Sequence, residues 1–279
     1  MAPERRLPVV QVDAFTGQAF AGNPAAVCVL PGDFLATDAW MQALAREMNL
    51  SVTAYLRAQD ETGEVWSLRW FTPVIEVDLC GHATLGSAHV LWESGRLDAG
   101  TAARFETRSG RLTCRQAAAG WIEMDFPAKR ATAAEPPPEL LPALGIASAR
   151  FVGKNAFDYF VELDEDGQVR RLRPDHGRLR SLPMRGVIVT AGARPGADYD
   201  FVSRFFAPAV GIDEDPATGS SHCALGPYWS EKLGRRELVG WQASARGGRV
   251  HTRIEGERVV LGGNAVTVLR GELLAAALP

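Results

Sequence analysis

The 279 residues carry 30 Lys and Arg against 33 Asp and Glu, a formal charge of -3, with 46% apolar and 23% charged side chains. This balance gives no basic excess for a nucleic-acid or anionic-membrane partner, and it supplies enough apolar material for a buried core. No apolar run approaches the roughly 18 residues of a membrane span, and MAPERRLPVV has no continuous apolar stretch of the signal type, so a cytoplasmic protein acting on small molecules is expected. Cys28, Cys80, Cys114 and Cys223 form no CxxC pair, and reduced thiols are the expectation for a chain of this size.

In chain order, alternating apolar stretches predict strands over residues 9–15 and 25–30, and Thr37 is placed to cap a helix over 38–48. Another strand is expected over 65–71. A polar turn at 80–84 then leads into a small-residue helix ending near Gly95, and strands follow over 111–116 and 121–126. The Pro-rich ATAAEPPPELLPALG, residues 131–145, reads as a linker into a short helix, and a second polar turn at 214–220 opens a helical stretch ending near Gly234. Strands outnumber helices without regular βαβ alternation, so the fold class is α+β, with a β-barrel or curved sheet wrapped on a helix.

Self-similarity organises these pieces. RWFTPVIEVD at 69–78 matches RFFAPAVGID at 204–213, Ala83-Thr84 matches Ala217-Thr218, and TRSGRLTCR at 107–115 echoes ARGGRVHTR at 245–253. Three blocks in one order, at offsets of 134 (Ala83 to Ala217) to 138 (Arg108 to Arg246), predict an internal duplication. Two halves follow, 1–128 and 129–279, with the last strand a candidate to return to the first.

Each half runs from a strand through an Asp and a polar turn into a helix: Leu79-Cys80-Gly81-His82-Ala83-Thr84, and Glu214-Asp215-Pro216-Ala217-Thr218-Gly219-Ser220. Such turns offer unpaired N–H groups and the positive end of a helix dipole. If the halves pack about a pseudo-twofold axis, both helix starts would clamp a substrate carboxylate from two sides. His82 is a candidate to titrate near neutrality, Asp215 to act as base, Ser220 to donate a hydrogen bond, and Cys80 to serve as acid or base. The alternatives are that Asp215 and Ser220 cap the second helix, that Cys80 is a packed thiol, and that His82 is structural. His89 and His222 read as packing or surface residues. P-loop, GxGxxG, HExxH and GxSxG motifs are absent, so neither a cofactor nor a metal is expected.

Together, VDAFT at 12–16, GNPAAV at 22–27, AREMNLS at 45–51, FTP at 71–73, CGHAT at 80–84, FAP at 206–208 and EDPATGS at 214–220 resemble the signature of the PhzF family of phenazine-biosynthesis isomerases. The resemblance implies a diaminopimelate-epimerase-like fold of two pseudo-symmetric domains, each a curved sheet or barrel around a central helix, with the substrate between them and a homodimer. It implies cofactor-free proton shuttling on a small carboxylate, with His82, Asp215 and Ser220 at active-site positions. Gly81 and Gly219 match backbone contacts to substrate, and Asn23, Ser51 and Thr218 are further candidate contacts.

One departure stands out. The family pattern NLSET carries Glu as general acid/base, where this chain has Asn49-Leu50-Ser51-Val52-Thr53. Valine carries no proton. Three expectations follow: retained chemistry with Cys80, Asp215 or His82 moving the proton, as in an epimerase, racemase or dehydratase; a silenced chain that binds a small molecule; or an engineered Glu-to-Val variant.

Overall fold

The structure, a computed structural model, describes residues 6–60 and 63–279. The chain divides into two compact units, Met1–Asp125 with Gly262–Pro279, and Phe126–Leu261. Both are mixed α+β.

The first unit begins with β1 (Leu7–Ala14), β2 (Asn23–Val29), α1 (Asp38–Met48), β3 (Val52–Ala58) and β4 (Val65–Phe71). It continues through β5 (Glu76–Val77), α2 (Gly81–Glu93), β6 (Ala103–Thr107), β7 (Gly110–Gln116) and β8 (Ile122–Pro127). The second unit holds β9 (Thr132–Ala133), α3 (Leu140–Leu144), β10 (Phe151–Lys154), β11 (Asp158–Glu162), α4 (Asp166–Arg171), α5 (His176–Arg180), β12 (Gly186–Gly192) and β13 (Phe201–Ala207). Then come β14 (Ile212–Asp215), α6 (Gly219–Leu233), β15 (Glu237–Gln242), β16 (Gly248–Glu255) and β17 (Arg258–Gly263), and the chain closes with β18 (Ala265–Leu273), which lies antiparallel to β1.

Within each unit the pairings follow one order. β2 runs parallel to β3, β3 antiparallel to β4, β4 parallel to β6, and β6 antiparallel to β7. Likewise β11 runs parallel to β12, β12 antiparallel to β13, β13 parallel to β15, and β15 antiparallel to β16. Helices supply the two parallel crossovers in each unit, as parallel strands require.

Local chemistry explains the elements that matter most. Thr37 Oγ1 accepts from Trp40 N–H and starts α1, and Asn49, left-handed at φ 49, ends it by returning its N–H to Ala45 O. The chain can therefore turn at once into β3. That strand has no apolar–polar alternation, because its first five residues, Val52 to Leu56, are buried, which is why periodicity did not reveal it. Gly22 has φ +62, and a Cβ there would stand 2.2 Å from Ala14 O, so only glycine lets the loop after β1 return into β2.

The matched Arg residues make the same contacts in each unit. Arg69 Nε and Nη2 donate to Glu76 Oε1 and Oε2, each at 2.8 Å, with the guanidinium 5.1 Å from the centre of the Phe71 ring. Arg204 Nε and Nη2 donate to Glu214 Oε1 and Oε2 at 2.7 and 2.8 Å, 4.9 Å from the Phe206 ring centre. Each fork ties the short strand before a helix to the long strand beside it. The second is more deeply buried, and Arg204 Nη1 also donates to Leu172 O at 2.9 Å.

Arg204→Met strands a partly desolvated carboxylate and removes a donor from Leu172 O, so it should cost about 3 kcal/mol of unfolding free energy. Arg69→Met, at a wetter fork, should cost about 1 kcal/mol. Urea denaturation of the two variants checks the ranking, which reverses if burial does not set the cost.

Candidate functional site

α2 is buried along most of its length, His82 to Ala88 without a break and then Val90 and Leu91. Its N-cap is Cys80, in an extended conformation (φ -146, ψ 106) and with no side-chain cap. Thr84 N–H reaches back to Cys80 O at 3.1 Å, and the Thr84 hydroxyl donates to the same oxygen at 2.6 Å. The N–H groups of Gly81, His82 and Ala83 precede the first intrahelical bond, and no side chain caps them.

His82, 5% exposed, is held by a short relay. Ser51 Oγ donates to Asn23 Oδ1 at 2.9 Å, so the Asn23 amide nitrogen is the group 3.2 Å from His82 Nδ1. Nδ1 is thereby an acceptor, and the proton of the neutral ring sits on Nε2. Cys80 Sγ lies 3.4 Å from the same Nδ1. Burial pushes the ring down to about 3. His82 therefore does not titrate near neutrality, contrary to the sequence expectation: a desolvated cation without a carboxylate partner is too costly. At neutral pH it is a fixed hydrogen-bond donor through Nε2, with its Nδ1 lone pair taken by the Asn23 amide.

Val52 opens β3 directly after Ser51 and is 3% exposed. It pairs with Ala25, as Ala54 pairs with Val27. Val27 approaches Gly86 of α2, and Asn23, Ala25 and Val27 alternate onto one face. Val52 thus lies on the sheet face that covers α2 and carries Asn23. Glu47 lies exposed on α1.

In the second unit α6 begins after Thr218, again an extended N-cap with no side-chain cap. Thr218 Oγ1 donates to Asp215 Oδ2 at 2.5 Å, so Asp215 engages the hydroxyl of the cap residue. Ser220 is the second residue of α6, past the cap position, and its hydroxyl makes no hydrogen bond among the described residues. Neither residue is therefore the helix N-cap. Gly81 and Gly219 are the first residues of their helices.

Sequence reasoning missed Gln242, at the end of β15. Its Oε1 accepts from Thr218 N–H at 2.8 Å, and its Nε2 donates to Asp215 O at 2.7 Å and to Thr218 Oγ1 at 3.1 Å. Ser244 Oγ holds Pro216 O at 2.8 Å. The partners lie 24 to 28 residues apart in sequence, so no local pattern announces them. His222 packs inside: Nδ1 donates to Thr218 O at 2.8 Å, Nε2 has no partner among the described residues, and burial pushes the ring down to about 4 although the Thr218 carbonyl favours the cation. Among the described residues no group of three or more His, Cys, Asp or Glu side chains converges as a metal site requires, and no helix is long and apolar enough to cross a membrane.

Residues 12–271 match the family model described as phenazine biosynthesis-like protein, PhzC-PhzF. The chain belongs to the PhzC-PhzF family. It is 51% identical over 268 residues to an uncharacterized isomerase of Halalkalibacterium halodurans, covering 96% of this chain and 98% of that protein. The crystal structure of a PhzF-family phenazine biosynthesis protein from Enterococcus faecalis superposes with a TM-score of 0.88 at 38% identity, over 96% of this chain and 99% of that one. A hydroxyproline epimerase from Agrobacterium vitis superposes at 0.61 with 14% identity, over 98% and 94% of the two chains, which extends the shared fold to an epimerase. The PhzF-like motifs at 22–27, 80–84 and 214–220 thus fall on the strand start and the two helix starts described above.

The depressed His rings fix a sign for pH dependence. Folded values below the ordinary 6.5 mean that the unfolded chain takes up protons first as pH falls. Stability is therefore highest above pH 6.5 and drops below it by roughly 1 kcal/mol per pH unit for each ring, until the folded rings protonate near 4 for His222 and 3 for His82. Denaturant titrations at pH 7, 6 and 5 should show a shallower fall in His82→Gln, by about one proton's worth of slope.

Proposed function

We propose that the chain is a cofactor-independent isomerase or epimerase that moves a proton on a small carboxylate-containing substrate, with Cys80 and Asp215 as the proton-transfer groups. The observation that carries this reading is the Cys80 thiol beside the His82 ring, 3.4 Å from Nδ1, at an uncapped helix start. A thiol in that position lies at the positive end of a helix dipole, which favours the thiolate. The uncapped N–H groups suit a substrate carboxylate. The neutral His82 ring, with its Nε2 proton, is suited to donate to a developing enolate oxygen without transferring that proton.

The reaction is a carbon-acid exchange. A base takes the proton alpha to the carboxylate, the electron pair moves onto the carboxylate as an enolate, and a proton returns either to the same carbon or to a conjugated one. Val52 supplies no acid or base where the PhzF pattern carries Glu, so the proton-transfer groups are sought among the remaining ionisable side chains. The Thr218 hydroxyl orients the Asp215 carboxylate, and Gln242 fixes Thr218 in turn.

A second reading rests on Val52 itself. Its place on the Asn23 face suits a chain that keeps the carboxylate-binding turns and has lost the chemistry.

The test is deuterium uptake in D₂O, followed by NMR, over a panel of amino acids, hydroxy acids and cyclohexadiene carboxylates. Uptake is expected with the chain as it stands, reduced about 10²- to 10⁴-fold by Cys80→Ala and by Asp215→Asn. Uptake that appears only in Val52→Glu would establish the binding reading. Uptake untouched by both substitutions would remove Cys80 and Asp215 from the chemistry.

A further inference from the structure

Two helical turns beyond His82, the C-terminal half of α2 borders a cavity of about 380 Å³ within the first unit, lined in part by His89, Trp92, Glu93, Ala99, Gln116 and Ile122. A cavity of that size suits a small organic molecule. Much of its polar lining is already committed: Trp92 Nε1 donates to Thr101 O at 2.9 Å, and Gln116 Oε1 accepts from Gly100 N–H at 3.1 Å. Ala99, Ala117 and Ile122 leave the rest of that wall apolar.

The α2 side is different. Thr267 Oγ1 donates to Glu93 Oε2 at 2.5 Å, and the Arg270 guanidinium lies 2.7 Å from the same oxygen. With its proton spent on Glu93, the Thr267 hydroxyl can only accept from His89 Nε2, 3.1 Å away. The His89 proton is therefore on Nε2, and Nδ1 carries a bare lone pair. Burial holds the His89 ring below its ordinary value, with Glu93 pulling it up and Arg270 pushing it down, so the ring is neutral at pH 7. Burial also opposes the Glu93 charge, but Thr267, His89 and Arg270 outweigh it and keep the carboxylate ionised. Neither Glu93 Oε1 nor His89 Nδ1 makes a hydrogen bond among the described residues.

An anionic acceptor and a neutral acceptor, one turn apart in a cavity that Trp92 and Ile122 also line, call for a ligand that brings donors and positive charge on an apolar body. We propose that this cavity is a second ligand site taking a small organic cation, a primary ammonium on an aromatic or aliphatic body. The ammonium hydrogen-bonds Glu93 Oε1 and His89 Nδ1, and the body lies against Trp92 and Ile122. Arg270 opposes this ligand, because its charge already offsets part of the Glu93 field. The proposal does not depend on the proton-transfer reading, since none of these residues belongs to the Cys80 or Asp215 turns.

The experiment follows the ring C–H resonances of His89, identified by their loss in His89→Gln, during titration of the full chain at pH 7. The probes are 2-phenylethylammonium, its neutral isostere 2-phenylethanol, and the anion 3-phenylpropionate. The ammonium should shift His89 saturably, and the alcohol should bind about tenfold more weakly or worse. Glu93→Gln, which keeps the shape of the side chain, should weaken the ammonium about tenfold, whereas Arg270→Met should strengthen it. No saturable shift up to about 10 mM ammonium, equal binding of alcohol and ammonium, indifference to Glu93→Gln, or preference for the propionate lost in Arg270→Met would each overturn the proposal.

Discussion

Each unit depends on a helix that its own strands cover on almost every side. α2 and α6 bury nearly every residue of their middle turns, so the ordinary division into a core face and a wet face is lost. Where strands approach most closely the helix carries glycine: Gly86 lies against Val12 and Val27, and a Cβ at Gly226 would stand 3.1 Å from Ile254. The rest of the design follows from this enclosure. With the helix body sheathed, its polar ends are where it meets anything other than strand, and the first turn of each helix arrives without a side-chain cap.

The enclosure also decides the chemistry of the histidines. A ring set on such a helix cannot keep a proton without an anionic partner, and neither His82 nor His222 has one within its hydrogen-bonded surroundings. They remain neutral and act through the orientation of their N–H groups. His89, near the end of α2 where the helix reaches solvent, keeps a carboxylate neighbour in Glu93. The difference between these rings is one of position on the helix and of companions, which residue type alone does not specify.

Val52 opens β3 on the face that carries Asn23, directly after the Asn49 helix stop and Ser51. A valine beside Ala25 is sterically easy on that face. In the second unit, Gln242 and Ser244 hold the Asp215–Thr218 turn by backbone and side-chain bonds across the sheet. Those bonds hold the turn from a segment more than twenty residues away.

Local sequence determined a good deal. The Thr37 cap, the Asn49 and Gly234 left-handed stops and the alternating edge strands follow from propensities that act over a few residues, and the order of motifs was enough to indicate the family. Arg69 and Arg204, which sit in similar sequence blocks, each grip a glutamate in the structure. What the sequence could not decide is whatever requires distant segments to meet. β3 has no alternation because both its faces are covered; the Gln242 clamp joins residues more than twenty apart; the Nδ1 acceptor state of His82 depends on Asn23 and Ser51; and the Glu93 cavity needs β18 to return to β1. Burial and hydrogen-bond direction are properties of neighbours, and only the folded chain chooses them.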